Sequence, residues 1–454
     1  MAGEKVAYTD LRNFIDDLED DLLTVCGELS PRHEIAAVLR EVGSDDPALL
    51  FTAVSGYPGV RVCGNLIGRR ERLAKALGTD SEHLTGVYLT RKSRSIPPVS
   101  FSGTAPVKEV VHSHPEDLLS VLPVLTHYEK DAAPYITSGV VFAKDPQSGR
   151  RAMGIHRMMV HGGNRLGIFL ANPPLSQYYA VREAAAEPLE VAIALGLEPA
   201  TLVASVVKAG SQGPDKVEIA GALRQAPVEL VRAETVDVEI PAHAEAVIEG
   251  RVLPVVRESE GPFGENTGYY FSNVSPVIEV SAITHRRDFI YPGLCPWTAD
   301  VDSLLALAGG TELLWQLQHH ANGVIDLEMI GGTIGFDAVI SVHGCSPGQI
   351  RRIIHLALSL DTRLKRVTVV DDDVDIRDPR EVAWAMATRY QPSCDTVIVD
   401  NTEAYVIDPS AITRGQGSKI GFDATKGVGR RFDKVSMPAE ATARARAVLA
   451  GVRS

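Results

Sequence analysis

The sequence has no Cys-x-x-Cys pair, no dense stripe of lysine and arginine, and no apolar run that approaches the length of a membrane span. Its five cysteines, Cys26, Cys63, Cys295, Cys345 and Cys394, are odd in number and widely spaced. That argues against a disulfide framework and reads as reduced thiols of a cytoplasmic protein. The opening segment, residues 1–23, is acidic and amphipathic, without the basic flank and apolar stretch of a secretory signal. A formal net charge of −13 repels a polyanion, which excludes nucleic acid as the expected partner. These absences predict a soluble chain acting on a small molecule, with no membrane attachment.

What is present is an ordinary globular composition, 45% hydrophobic and 23% charged, so the chain is expected to fold without covalent staples. At 454 residues it exceeds what one core serves, because cores stop growing near about 250–300 residues, and two or three domains are expected. Between residues 11 and 42 apolar positions recur at helical spacing (Leu11, Phe14, Ile15, Leu18, Leu22), which predicts surface helices packed on a sheet. Strands are expected at 48–54 and 61–67, on either side of the Gly56-Tyr57-Pro58-Gly59 turn, then a helix at 71–77. This makes residues 1–106 an α/β portion.

Residues 107–296 change character. Short strands at 138–143, 152–160 and 246–255, separated by glycine- and proline-bearing turns, have the pattern of a barrel or a strongly curved sheet. Residues 235–240 alternate polar and apolar, so one face is buried and the other wet, while 189–207 and 217–224 are expected to be helices. Residues 297–454 return to helices alternating with apolar strands (302–318, 338–342, 347–358, 366–370, 381–387, 396–399), the signature of a helix-covered parallel or mixed sheet. They close on an alanine-rich helix at 438–452, suited to packing on a neighbouring subunit. The expected fold class is α/β, mixed with α+β.

The densest chemistry lies in Glu260-Gly261-Pro262-Phe263-Gly264-Glu265. Proline and glycine enforce a tight bend there, and two carboxylates flank it. Facing solvent, this is an ordinary surface turn. Facing one partly buried cleft, the carboxylates repel each other and desolvation raises at least one pKa, which makes a proton donor.

The stretches ALLFTAVSGYPGVRVCGNLIG (48–68), DAAPYIT (131–137), GIHRMMV (154–160), LEVAIALGL (189–197), AGALRQAPVELVRAET (220–235), the Glu260 turn, VVDDDVDIRD (369–378) and GSKIGFDAT (417–425) run through nearly the whole chain. In order and spacing they resemble the UbiD-type decarboxylases that depend on prenylated FMN. The resemblance implies a central split β-barrel-like flavin-binding domain and a C-terminal oligomerisation domain. It also implies reversible, non-oxidative decarboxylation of an aromatic, heteroaromatic or α,β-unsaturated acid. Arg157, Glu260 and Glu265 then occupy the places of the catalytic network: Glu265 as the acid that replaces CO2 with a proton, Glu260 held by the Arg157 fork. A small aromatic acid as substrate, a flavin prenyltransferase as cofactor supplier and a homo-oligomer, dimer or hexamer, follow from the same likeness.

The family holds its flavin phosphate through a divalent metal bound by Asn, His and Glu. The matching positions here read Ala152, Leu175 (or its neighbours Ser176 and Gln177) and Lys216, so no metal is expected in the usual role. Lys216 follows Gly213-Pro214-Asp215 at a helix start, where free N–H groups and the helix dipole favour phosphate, and its ammonium is the expected replacement counter-charge. His156 either lines the pocket or is a satisfied core histidine. Arg414 and Lys419, in ITRGQGSKIGFDAT, match a segment that the family places near the cofactor.

Two features compete with this reading. Asp371-Asp372-Asp373 resembles a metal cluster but follows the apolar run 367–370, so it is expected to end a strand. His112-Ser113-His114 matches the H-x-H of metal-dependent hydrolases and decarboxylases, yet further ligands are not evident and Pro115 suggests a loop. The alternatives in function are therefore a metal-dependent enzyme using His112 and His114, or a non-catalytic flavin-binding or assembly relative.

Overall fold

A long antiparallel hairpin, Ala246–Gly264 with Tyr270–His285, is the spine of the central region in the computed structural model, which describes residues 8–43, 45–170, 172–208, 213–427 and 434–453. The base of the hairpin, residues 246–252, is buried almost throughout, and exposure alternates beyond it, as expected of a strand that leaves the core. Nine strands assemble on this spine. Their order is Tyr135–Ile136, Met158–Gly162, Arg165–Ile168, Tyr270–His285, Ala246–Gly264, Leu189–Leu195, Val140–Lys144 and Arg151–Ile155, with Val110–Ser113 also paired to Tyr270–His285.

Arg151–Ile155 and Met158–Gly162 are close in sequence, yet the first stands at one end of that order and the second next to the other end. Only His156 and Arg157 separate them, a reach of three Cα steps or at most about 11 Å. The sheet must therefore roll until its two ends nearly meet. Among the described residues no ladder closes the gap, so the barrel is split, with a seam crossed by residues 137–139 and by His156-Arg157. His156 N donates to Gly139 O (3.3 Å) across these two crossings.

Three expectations about local structure need correction. The segment expected to be helical from 189 is the strand Leu189–Leu195, sandwiched between Ala246–Gly264 and Val140–Lys144. A short run with one polar residue has no periodicity that separates a buried strand from a helix, and its sheet neighbours decide. The helix begins only at Pro199–Val206, capped by the Glu198 side chain. Leu22–Val25, expected within a helical stretch, is also a strand, and His112 lies in the strand Val110–Ser113 rather than in a loop. By contrast, residues 235–240 do alternate between buried and more exposed positions.

The N-terminal sheet runs Leu22–Val25, Ala48–Phe51, Arg61–Gly64 and Ile290–Pro292, the last drawn from the end of the central region. Ile35, Leu39, Phe51 and Val62 accordingly share one apolar cluster with Ile193, Ile248 and Ile283. The C-terminal sheet is five-stranded, in the order Val324–Met329, Asp337–Val342, Arg366–Asp371, Gln416–Asp423 and Thr396–Glu403. Helices Pro347–Leu360 and Pro379–Arg389 accompany it, and Leu313, Ile340, Ile353 and Val367 belong to a cluster of their own. The five cysteines are free, and among the described residues no helix is long and apolar enough to cross a membrane.

Candidate active site

Arg157 leaves the seam and points at the spine hairpin. Its Nε donates to Glu260 Oε1 (2.8 Å), its Nη2 to Glu260 Oε2 (3.3 Å), and its Nη1 to Glu265 Oε2. All three side chains are buried, at 9%, 0% and 6% exposure. Water is thus largely excluded from a site with two carboxylates and one guanidinium. Burial works against the Arg157 charge, but Glu265 and Glu260 outweigh it and hold the guanidinium pKa above its ordinary value. Ser275 Oγ also donates to Glu260 Oε2 (3.0 Å), and the Asn266 N–H to Glu265 Oε1 (3.0 Å).

The E-G-P-F-G-E segment is no surface turn. It continues the strand Ala246–Gly264, with the register shifting between Glu260 and Phe263, and that irregularity aims both glutamates at Arg157. Gly261 has φ 106°, and a Cβ on it would lie 2.6 Å from Phe271 O; one on Gly264 would enter the Tyr128 ring. Neither tolerates a side chain, which explains both glycines. Asp131, just before the strand Tyr135–Ile136, clamps the segment, accepting from Gly264 N (2.7 Å) and Tyr128 N (2.9 Å), while Ala132 N donates to Pro262 O (2.8 Å).

Sequence reasoning missed the aromatic cage. The guanidinium carbon of Arg157 lies 4.3 Å from the Phe169 ring centre, 5.1 Å from Phe263 and 5.2 Å from Phe271. Each ring attracts the cation and keeps it off other rotamers. The signal for Phe271 and Ser275 was the period of two along Tyr270–His285, legible only once its partner strand is known. Phe169 had no signal in its own neighbourhood.

The expected cofactor residues fare differently. His156 is buried, its Nδ1–H directed at Phe169 O (3.1 Å), and burial pushes its pKa down to about 4, so the ring is neutral. Lys216 opens the helix Lys216–Arg224 behind the Asp215 cap and lies close enough to His156 to disfavour its protonation. Its Nζ donates to Ser205 O (2.6 Å), and burial pushes its pKa down to about 8. A backbone carbonyl uses one ammonium N–H and leaves two for another acceptor. Ala152 is a buried strand residue and Leu175 a buried position on the helix Leu175–Ala184, so neither offers a metal donor; Ser176 is half-buried and Gln177 exposed on that helix. Arg414 stacks 5.4 Å from Phe271, the same ring that flanks Arg157, and donates to Asn273 Oδ1 (3.2 Å).

Lys419 is a correction. Its buried Nζ donates to Leu358 O (2.8 Å), Thr362 O (3.2 Å) and Asp361 O (3.4 Å), so all three N–H groups go to the end of helix Pro347–Leu360 and the residues after it. Helix ends leave carbonyls without partners, and this ammonium satisfies them. Lys419→Met is expected to lower stability by about 1–3 kcal/mol, the cost of orphaning buried acceptors, as read from urea unfolding.

The competing features find structural partners. Arg389, itself buried, donates to Asp371 Oδ2 (3.2 Å) and to both oxygens of Asp373 (3.0 and 2.9 Å). His112 Nε2 lies 3.0 Å from His285 Nε2, and His114 is exposed. Among the described residues no group of three or more His, Cys, Asp or Glu is placed to hold a metal ion.

The chain matches the 3-octaprenyl-4-hydroxybenzoate carboxy-lyase models for the N-terminal domain over residues 16–89, the Rift-related domain over 99–299 and the C-terminal domain over 304–424. It is 34% identical over 430 residues to the anhydromevalonate phosphate decarboxylase of Methanothermobacter thermautotrophicus, covering 94% of this chain and 99% of that protein. Among solved structures, the UbiD-class enzyme HmfF of Pelotomaculum thermopropionicum in complex with FMN superposes with a TM-score of 0.91 at 38% identity, covering 95% of this chain and 98% of the other. The vanillic acid decarboxylase of Sedimentibacter hydroxybenzoicus in its closed form gives 0.85 at 29% identity, covering 99% and 100%. With three matching domain models in order and relatives covered over nearly their whole length, the chain belongs to the UbiD family of carboxy-lyases.

Proposed function

We propose that the enzyme releases CO2, reversibly and without net oxidation, from an aromatic, heteroaromatic or α,β-unsaturated acid, using prenylated FMN. The observation that carries this is the buried convergence of Arg157, Glu260 and Glu265 in an aromatic cage at the barrel seam. Solved forms of HmfF contain FMN or prFMN, which supports the cofactor. When bound, prenylated FMN supplies an electron sink for the carbon that loses CO2.

The protein's part is to exclude water, orient the acid and move one proton. Glu265 is the donor to the substrate carbon, because Arg157 reaches it through one N–H while gripping Glu260 through two. Glu260, pinned also by Ser275, keeps Arg157 in place and does not move a proton. Each turnover consumes one proton, so Glu265 must be recharged from solvent before the next.

His156, Lys216 and Arg414 fit the cofactor's holding site. Lys216 combines a helix N-terminus, a position beside neutral His156 and spare N–H groups, and it takes the counter-charge role left by Ala152 and Leu175. This has a measurable consequence. Lys216 titrates near 8, so binding a phosphate must draw a proton onto it above that pH. FMN retention should fall as pH rises past 8, by up to about tenfold per unit, and Lys216→Met should bind weakly without that slope, as measured by fluorescence quenching of added FMN. Self-association through the C-terminal portion belongs to the same reading, since Val448 and Leu449 on helix Ala439–Arg453 are exposed.

Co-expression with a flavin prenyltransferase, followed by a screen of unsaturated and aromatic acids for CO2 release, tests the whole. A protein that takes up the cofactor, shows its visible absorption and turns over none of them would overturn the catalytic reading.

A further inference from the structure

Among the described residues one turn is π-helical, Ala306–Gly310, set between the helices Ala299–Leu305 and Thr311–His320. Such turns are rare and gather at functional sites. This one makes room for an arginine. A Cβ on Gly309 would collide with Arg363 Nη2, so glycine alone admits that side chain, which is 12% exposed. Asp361 then grips Arg363 from one side, accepting from its Nε (3.1 Å) and its Nη2 (2.7 Å). A guanidinium carries five N–H groups, and the two on Nη1 are without a partner among the described residues. Burial works against the Arg363 charge, but Asp361 outweighs it, so the group stays cationic. Lys208 Nζ also lies 3.5 Å from Asp361 Oδ2, and two cations on one carboxylate leave the cluster net positive.

Tyr405 joins this cluster to the catalytic groups. It lies at the start of the connection 404–415 between the strands Thr396–Glu403 and Gln416–Asp423, its ring edge-on to Phe336 (6.3 Å). Near the other end of that connection Arg414 stacks on Phe271, the ring that flanks Arg157, so the connection leans on the cage. The Tyr405 hydroxyl has no hydrogen-bond partner among the described residues. Burial raises its pKa and Arg363 opposes the rise, while Glu265 pushes it up and Arg157 pulls it down. One phenol thus stands within electrostatic reach of the anchored arginine and of the proton donor, and it stays protonated as a donor. A carboxylate or phosphate entering here pairs with a fixed cation and an O–H, whereas an uncharged group leaves the Arg363 N–H groups unmatched.

We propose that Arg363 and Tyr405 form the C-terminal wall of the substrate site, where Arg363 Nη1 and the Tyr405 hydroxyl bind a second anionic group of the acid, a carboxylate or a phosphate remote from the carboxylate that leaves. The enzyme thereby selects dianionic acids over monoanionic ones of the same shape. The inference rests on the decarboxylase reading above and names its substrate class.

The test is calorimetric binding of benzoate, monomethyl terephthalate, terephthalate and 4-phosphonobenzoate to the cofactor-loaded protein, with CO2 release followed in parallel. The two dianions should bind at least about tenfold more tightly than benzoate and the ester. Tighter terephthalate would name a carboxylate as the second group, tighter 4-phosphonobenzoate a phosphate. Arg363→Lys keeps a cation beside Asp361 but cannot fork to it and also reach a ligand. It should weaken both dianions at least about tenfold and leave benzoate and the ester within about threefold. Tyr405→Phe keeps the ring on Phe336 and removes only the O–H, so it should weaken the dianions by about three- to tenfold and the other two little. Should Arg363→Lys fail to fold, Tyr405→Phe reads the same selectivity by itself. Equal binding of the ester and terephthalate, variant effects that are uniform across the four acids, or no binding of any would overturn the inference. The expected binding order and variant effects without CO2 from any acid would support the wall and instead fault the decarboxylase reading.

Discussion

Glu265→Gln is expected to cut CO2 release by about 10²–10⁴-fold, the usual contribution of a positioned proton donor. Glutamine keeps the shape of the side chain and an acceptor for the Asn266 N–H, so the loop that carries it should stay in place. What it loses is the exchangeable proton. The same variant should therefore fail to wash deuterium from D2O into the reacting carbon of the product, while its cofactor absorption is unchanged. Deuterium exchange at the parent rate would move the donor role to another residue. A matching fall in thermal stability would show that Glu265 acts through packing, since its 6% exposure makes that the rival account.

Arg157→Ala should do more damage, because two costs add. Glu260 is fully buried and would keep only the Ser275 hydroxyl, and stranding a buried charge costs about 3–5 kcal/mol. The cage of Phe169, Phe263 and Phe271 would also close on a void. Activity should fall by at least about 10²–10³-fold, and the denaturant midpoint should drop with it. Arg157→Lys separates the two effects. An ammonium restores charge to the cage but cannot fork to Glu260 while reaching Glu265, so most stability should return with little activity. Lysine that restores turnover would show that the fork geometry is dispensable.

Much of this site was legible because its signals are local. Glu260, Glu265 and the glycines between them sit in six consecutive residues, and Arg157 lies in a short motif of its own. The strands Arg61–Gly64 and Asp337–Val342 and the helix Pro347–Leu360 likewise follow from runs whose neighbours in sequence are their neighbours in space. Leu189–Leu195 was not legible, because a buried strand and a buried helix present the same apolar run until a sheet claims one of them. Lys419 was misassigned for a related reason: its three acceptors lie about 60 positions upstream, and a glycine-rich basic segment looks the same whether its lysine meets a phosphate or the carbonyls at a helix end.

The sequence by itself determined the family and the two carboxylates with their arginine, for these depend on which atoms are present. Only the tertiary structure decided that His156 and Arg157 bridge the open seam of a rolled sheet and that three phenyl rings hold the guanidinium. Strand register and sheet curvature set those convergences. They are properties of pairing between distant segments, and no single segment encodes its partner.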